Sequence, residues 1–320
     1  MTSRRTVLRG LGALGLSAAL PVALPACSAP YPDLRMRLAT GAESGNYFAL
    51  GTALARAWQI ELAAGTDVLV TGGSLANLAL LASGGADAVI SQVDTAAVQW
   101  SRTPDGPRSP RALARIYDDV VHVVVPRSSP VTTLVGLRGA RVSVGALDSG
   151  VLAISQRLLR SAGLAPDTDV RPRNLGITES VAAMEAGAID AFFWSGGLPT
   201  PAVSGLADRL PIRLLDLTDI LKSVREAYPV YTPGTVPARS YGISAPITTL
   251  LVRNFLLVGA GMADELAHAL TQAMFRQQPQ LAQAIKLALT IDLRAAIGTQ
   301  PVPLHPGAER FFRDEKNAGS

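Results

Sequence analysis

The sequence predicts an α/β protein of two lobes, with a ligand cleft between them and extended strands that cross from one lobe to the other. Three observations carry that reading. Short apolar runs alternate with helical segments in β-α-β order, twice along the chain. The two halves share a turn: "SGGADAVISQ" (83–92) and "EAGAIDAFFWS" (185–195) set Gly84 and Asp87 against Gly187 and Asp190. Two stretches without a long helical period, 111–130 and 238–253, fall where the halves would join.

The first half reads as a strand in 34–41, a helix over 47–62 with Leu50, Leu54, Trp58 and Leu62 mainly on one face, and a strand in 67–73. A helix over 74–83 follows, with Ser74 as its N-cap and Gly84 as its stop, and then a buried strand in 87–92. The second half repeats the grammar. Strands are expected in 141–146, 170–176 and 189–197, and helices over 149–163 and over 178–187, the latter capped by Thr178. The crossing segment 111–130 holds strand-like runs at 112–117 and 120–125, and helices from about Ala263 to Leu289 are expected to pack back on the first lobe. The resulting division is 31–124 with 240–320 as lobe one and 125–239 as lobe two.

The N-terminus reads as an export signal. Arg4 and Arg5 lead a cationic head, and an uncharged run continues to Cys27. A twin arginine suggests export in the folded state. The run is shorter than the ~20 residues of a spanning helix and is broken by Pro21 and Pro25, which argues against a transmembrane anchor. "LPAC" (24–27) is similar to a lipobox, which makes Cys27, the only cysteine, a candidate for lipidation; plain cleavage near Ala26 is the alternative. The signal takes Arg4, Arg5 and Arg9 with it, so the formal charge of +4 falls to +1 in the mature chain. No basic cluster with interleaved aromatics points to nucleic acid.

Four glycine-bearing turns, 40–47, 71–74, 145–150 and 194–199, sit where strands end and helices begin. In an open parallel sheet that is where ligands bind. Free amides at helix starts favour an anion, each dipole being worth about 0.3–1 kcal/mol when exposed and up to about 2 when partly buried, so several must converge. Tyr47, Ser74, Asn77, Gln92, Asp94, Ser149, Trp194 and Ser195 stand at or just past these turns. Ser74 and Ser149 read equally well as simple caps, and Tyr47 as core. Catalytic patterns are absent from the sequence: no Gly-x-Ser-x-Gly elbow, no Gly-x-x-x-x-Gly-Lys loop, and His122, His268 and His305 lie far apart.

The blocks "ATGAESGNYFALG" (39–51), "TGGSLANLALLASGGADAVISQVD" (71–94), "AMEAGAIDAFFWSGGLPTPAV" (183–203) and "PLHPGAERFFRDE" (303–315) resemble the TAXI class of solute-binding receptors of tripartite ATP-independent periplasmic (TRAP) transporters. The resemblance implies a periplasmic-binding-protein fold of type II, no enzymatic activity and no cofactor or metal. It implies a small organic anion as ligand, a glutamate-like amino acid or a dicarboxylate, handed to a TRAP-type permease. Carried over, the pocket draws on Gly45, Asn46 and Tyr47, on Ser74, Asn77, Gln92 and Asp94, and on Ser149, Gly150, Ser195, Gly196 and Pro199. The chain departs from the family at Leu147, Asp148 and Val151, and Asp148 and Glu43 would oppose a dianion by like charge. The competing readings are an ABC-importer receptor for sulfonates or aromatic precursors, a ligand sensor for a membrane kinase, and a secreted hydrolase.

Overall fold

Strand β1 (Arg35–Ala39) lies parallel to β2 (Gly65–Leu69) and β3 (Ala88–Gln92), and helices α1 (Asn46–Leu62) and α2 (Ser74–Ser83) make the crossovers. This computed structural model describes residues 31–319; the segment expected to be an export signal, with Cys27, and the final residue lie outside the described residues. Beyond β3 comes α3 (Val93–Arg102), a helix the periodicity does not announce, and then β4 (Pro110–Pro126). β4 runs as one 17-residue strand where the sequence suggests two shorter runs.

The second half supplies β5 (Arg141–Ser143), α4 (Gly150–Ser161), β6 (Arg171–Arg173), α5 (Ile177–Glu185), β7 (Ala191–Gly196), α6 (Pro201–Arg209), β8 (Ile212–Leu214), α7 (Leu221–Ala227) and β9 (Thr232–Val236). The second crossing strand is β10 (Ile247–Gly259), later than the expected 238–253; a 3-10 turn at Ser240–Gly242 occupies the start of that window. The C-terminal helices α8 (Asp264–Arg276), α9 (Gln278–Ala284), α10 (Leu293–Ala296) and α11 (Pro306–Ala318) return to the first half, where α8 packs on α1 and α11 on α8.

Together the strands form one sheet in the order β2-β1-β3-β10-β4-β7-β5-β6. β10 inserts between β3 and β4, antiparallel to both. β4 pairs with β10 up to Val120 and with β7 from Val120 to Val124, so the two parallel units hang from opposite ends of the crossing pair. β9 pairs with the early part of β10, Ile247–Leu251.

The repeated turn does the same work in each lobe. Asp87 accepts from the Arg37 backbone N–H at 2.8 Å and from its guanidinium, and its own N–H donates to Arg37 O at 2.9 Å. Asp190 accepts from the Arg141 backbone N–H at 2.8 Å and from its guanidinium, and its N–H donates to Arg141 O at 2.8 Å. Each aspartate thus locks the start of the third strand of its parallel unit, β3 or β7, onto the first, β1 or β5.

Apolar packing covers both sides. Leu50, Leu54, Trp58, Leu270 and Met274 fill one face of lobe one, and Val181, Met184, Phe192, Val203 and Leu206 one face of lobe two. A third cluster runs through both, joining Leu78, Val89 and Val93 to Val142, Ile154 and Leu158 by way of Val121 and Val252 on the crossing strands.

Candidate functional site

Two caps differ from the sequence expectation, and the reasons shape the site. Gly73, with φ of 120°, is the N-cap of α2, which frees Ser74 to turn inward; its buried Oγ accepts from Gln92 N–H at 3.1 Å and lies 3.2 Å from Tyr47 Oη. α5 starts at Ile177 and not Thr178, because Glu179 reaches back to the Gly176 N–H at 2.6 Å and fixes Gly176 as the N-cap. Ser149 is the N-cap of α4, accepting from Leu152 N–H at 3.1 Å.

Between the lobes lies a cavity of about 140 Å³. Lobe one lines it with Gly45, Asn46 and Tyr47 at the start of α1, with Gly72, Gly73 and Ser74 at the start of α2, and with Gln92 at the end of β3. Lobe two contributes Gly145, Ser149, Gly150 and Val151 around the start of α4, Leu175 to Ile177 before and at the start of α5, and Trp194, Ser195 and Gly196 on β7. Tyr117 and Asp119, on β4, form its crossing-strand wall.

Nine of the twelve residues put forward from the sequence therefore meet around one cavity; Asn77, Asp94 and Pro199 stand outside its lining. Asn77 is fully buried behind the α2 turn: its Nδ2 donates to Thr40 O at 2.5 Å and Ile90 O at 2.7 Å, and its Oδ1 accepts from Thr71 Oγ1 at 2.6 Å. It shapes the turn from behind the cavity lining. Asp94 is committed elsewhere, to an ion pair with Arg157 of α4 and a 2.6 Å bond from Tyr231 Oη. Pro199 is exposed past the end of β7. Glu43 and Asp148 are likewise exposed and off the lining, so the like-charge objection they raise falls away. Asp148 matters through its backbone, whose carbonyl accepts from Ala76 N–H at 3.1 Å and ties the α4 turn to the start of α2.

The charge inside the cavity comes from a residue that sequence reasoning misses. Among the described residues Asp119, 3% exposed, is the one acid on the lining, and no Lys, Arg or His joins it. Its Oδ2 accepts from Gln92 Nε2 at 3.0 Å and Ser195 Oγ at 3.3 Å. Burial lifts its carboxyl to about 6, against the lowering effect of hydrogen bonds from Gln92, Asn254 and Ser195 and with repulsion from Asp118. Tyr117, two residues earlier on the same face, is buried with its phenol unpartnered. Asn254 of β10 accepts from Tyr47 Oη at 2.5 Å. The signal available in the sequence is an acidic pair, Asp118–Asp119, set inside the apolar run of a crossing strand.

The lobes touch closely around this cavity. A Cβ on Gly150 would stand 1.9 Å from Gln92 Oε1, and one on Gly72 would stand 2.9 Å from the Leu147 carbonyl. Only glycine permits that approach of lobe two to lobe one.

Two parallel α/β units on a shared antiparallel strand pair, with helix starts from both facing one cleft, define the type II periplasmic-binding-protein fold. The chain belongs to the NMT1-like family, whose model matches residues 38–315. Solved structures share the fold: a protein of Xanthomonas citri bound to ATP (TM-score 0.52, 17% identity, 88% of this chain and 98% of that one). Others are a periplasmic transporter (TM-score 0.52, 17% identity, 90% and 94%) and a putative L-cystine ABC transporter from Listeria monocytogenes (TM-score 0.50, 12% identity, 80% and 94%).

Proposed function

We propose that the protein is an extracytoplasmic solute-binding protein that closes on a small organic anion, a glutamate-like amino acid or a dicarboxylate, and hands it to a TRAP-type membrane permease. One observation carries the reading: the starts of α1, α2 and α4, drawn from both lobes, converge on a cavity of about 140 Å³. That is the size of a small metabolite, since a cavity of about 150 Å³ accepts benzene. The closing bodies are 31–124 with 240–320 and 125–239, and a ligand that touches both stabilises the closed form by its differential affinity. The protein performs no chemistry on its ligand and needs no cofactor. It reaches the outer face of a membrane by twin-arginine export and stays there through lipidated Cys27.

Small-angle scattering with and without a panel of organic acids and amino acids tests the reading. The expected result is a smaller radius of gyration with at least one compound, matched by calorimetric binding; a chain that neither contracts nor binds anything overturns it. Replacing Cys27 with serine is expected to release the protein from membranes, and retention would refute the anchor. An ABC-importer receptor shares the architecture, and a TRAP permease gene beside this one separates the two.

A further inference from the structure

The cavity is rich in acceptors and lacks cations. Asp119 offers a carboxylate, and the Oε1 of Gln92 and the Oη of Tyr117 are buried without a partner. The orientation of the Gln92 amide follows from its neighbours: Nε2 must face Asp119, which accepts from it. Donors line the cavity as well. Gly150 and Val151 open α4, and their N–H groups have no partner within the helix. Asn46 and Tyr47 open α1 in the same way. The remaining wall is apolar, made by Val151, Leu175, Ile177 and Trp194.

From this division of the cavity we infer the ligand class: a zwitterionic amino acid with a compact apolar side chain, its ammonium on Asp119 and its carboxylate on the amides that open α4 and α1. An ammonium finds its charge partner in Asp119, and Gln92 Oε1 and Tyr117 Oη, buried and unpartnered, are acceptors that a side-chain rotation would turn toward it. The single carboxylate takes the helix starts. A second carboxylate has no cation to meet and stands either against Asp119 or against the apolar wall, both unfavourable. The inference rests on the solute-binding reading and, within it, replaces the organic anion named above, excluding dicarboxylates and glutamate-like amino acids alike.

Matched compounds test it by calorimetry on the mature chain at pH 7.5. L-Valine and L-leucine each lose one feature in isovalerate and 4-methylpentanoate (no amine) and in isobutylamine and isopentylamine (no carboxylate); succinate and glutarate carry the second acid. At least one of the two amino acids is expected to bind, with every counterpart at least tenfold weaker. Asp119→Asn is expected to weaken the amino acid by tenfold or more in a chain that keeps its circular dichroism spectrum. Succinate or glutarate binding as tightly as the amino acids overturns this inference and leaves solute binding intact. An Asp119→Asn variant with unchanged amino-acid affinity does the same. Silence from every compound, with no contraction in a cell-metabolite extract, overturns both.

Discussion

Gln92 donates through Nε2 to Ser195 Oγ at 2.8 Å, a bond from the end of a lobe-one strand to the end of a lobe-two strand. The same nitrogen reaches Asp119 on the crossing strand, so one amide joins both lobes and the hinge. Opening the cleft must break it. Gln92→Ala is expected to shift the protein toward an open form, read as a larger radius of gyration without ligand, and to weaken ligand binding at least tenfold. An unchanged scattering curve would count against closure through this contact.

Asp119 makes the stability of the ligand-free protein pH-dependent with a definite sign. Its carboxyl rises from 3.8 to about 6 in the fold, so the folded chain holds the proton more tightly than the unfolded one. The stability this contributes is full below about pH 4 and is lost as pH rises through about 6, roughly 3 kcal/mol in all. Asp119→Asn does not titrate. It is expected to melt roughly 3–8 °C above the parent at pH 8, with more than half of that difference gone at pH 4.5. Ligand binding has the opposite sign: an ammonium favours ionised Asp119, so affinity falls as pH drops through 6. Asp118 and the phenols of Tyr47 and Tyr117 are the other ionisable groups that act on it or feel its charge, and both phenols are pushed further up by burial and by Asp119 itself. A melting difference that is flat with pH would sink the assignment.

The lobes and their repeated turn are legible because they rest on local signals: apolar runs of strand length, a helix-stopping glycine and the aspartate three residues later. Gly45 to Tyr47 and Ser149 to Gly150 are legible for the same reason, being turns at strand ends. Asp119 is harder. Strand alternation puts Asp118 and Asp119 on opposite faces, and only the tertiary fold decides that Asp118 goes to Arg115 while Asp119 turns to the cleft. Asn77 and Asp94 show the converse difference, standing off the cavity lining. A polar residue beside a ligand turn reads as a ligand contact, yet each has buried partners distant in sequence that no local pattern reveals. The helix α3 escapes notice because only its first turn is buried.

Asn77 and Ser74 should separate under mutation. Asn77→Ala removes the buried donor to the Thr40 and Ile90 carbonyls and one acceptor of Thr71 Oγ1, while Thr71 Oγ1 still donates to Thr40 O at 3.1 Å. At about 1–3 kcal/mol for an unsatisfied buried group, a loss of roughly 1–3 kcal/mol in urea unfolding is expected. Ser74→Ala removes the cavity-wall hydroxyl that accepts from the Gln92 N–H, and is expected to change ligand affinity with a smaller loss of stability than Asn77→Ala. Equal destabilisation by the two variants would contradict their different placement.

The ion pair between Asp94 of α3 and Arg157 of α4 ties the lobes beside the cavity, with Tyr231 bonded to both partners. The Asp94 side chain is 1% exposed and that of Arg157 14%. Removing the cation alone leaves a carboxylate buried without its charge partner, which typically costs about 3–5 kcal/mol. Arg157→Met is expected to lose that much in denaturant unfolding, and Asp94→Asn combined with Arg157→Met to regain more than half of it. A single variant within about 1 kcal/mol of the parent would show that the pair is solvated in solution.

His122 gives the fold its expected acid sensitivity. Tyr241 Oη accepts from Thr200 N–H at 2.6 Å, so its own proton points to His122 Nε2 at 3.1 Å, and the imidazole proton sits on Nδ1, which donates to Val120 O at 2.8 Å. Both nitrogens are thus satisfied in the neutral ring, and burial pushes its titration down from 6.5 to about 4. Here the stability is present above about 6.5 and is lost as pH falls through about 4, again roughly 3 kcal/mol. An asparagine side chain keeps a donor for Val120 O but has no titrating ring. His122→Asn is therefore expected to lower stability at pH 8 through lost packing while flattening the decline between pH 6.5 and 4. Unfolding free energies measured across that range decide it: parallel acid slopes for parent and variant would mean that His122 is not the group responsible.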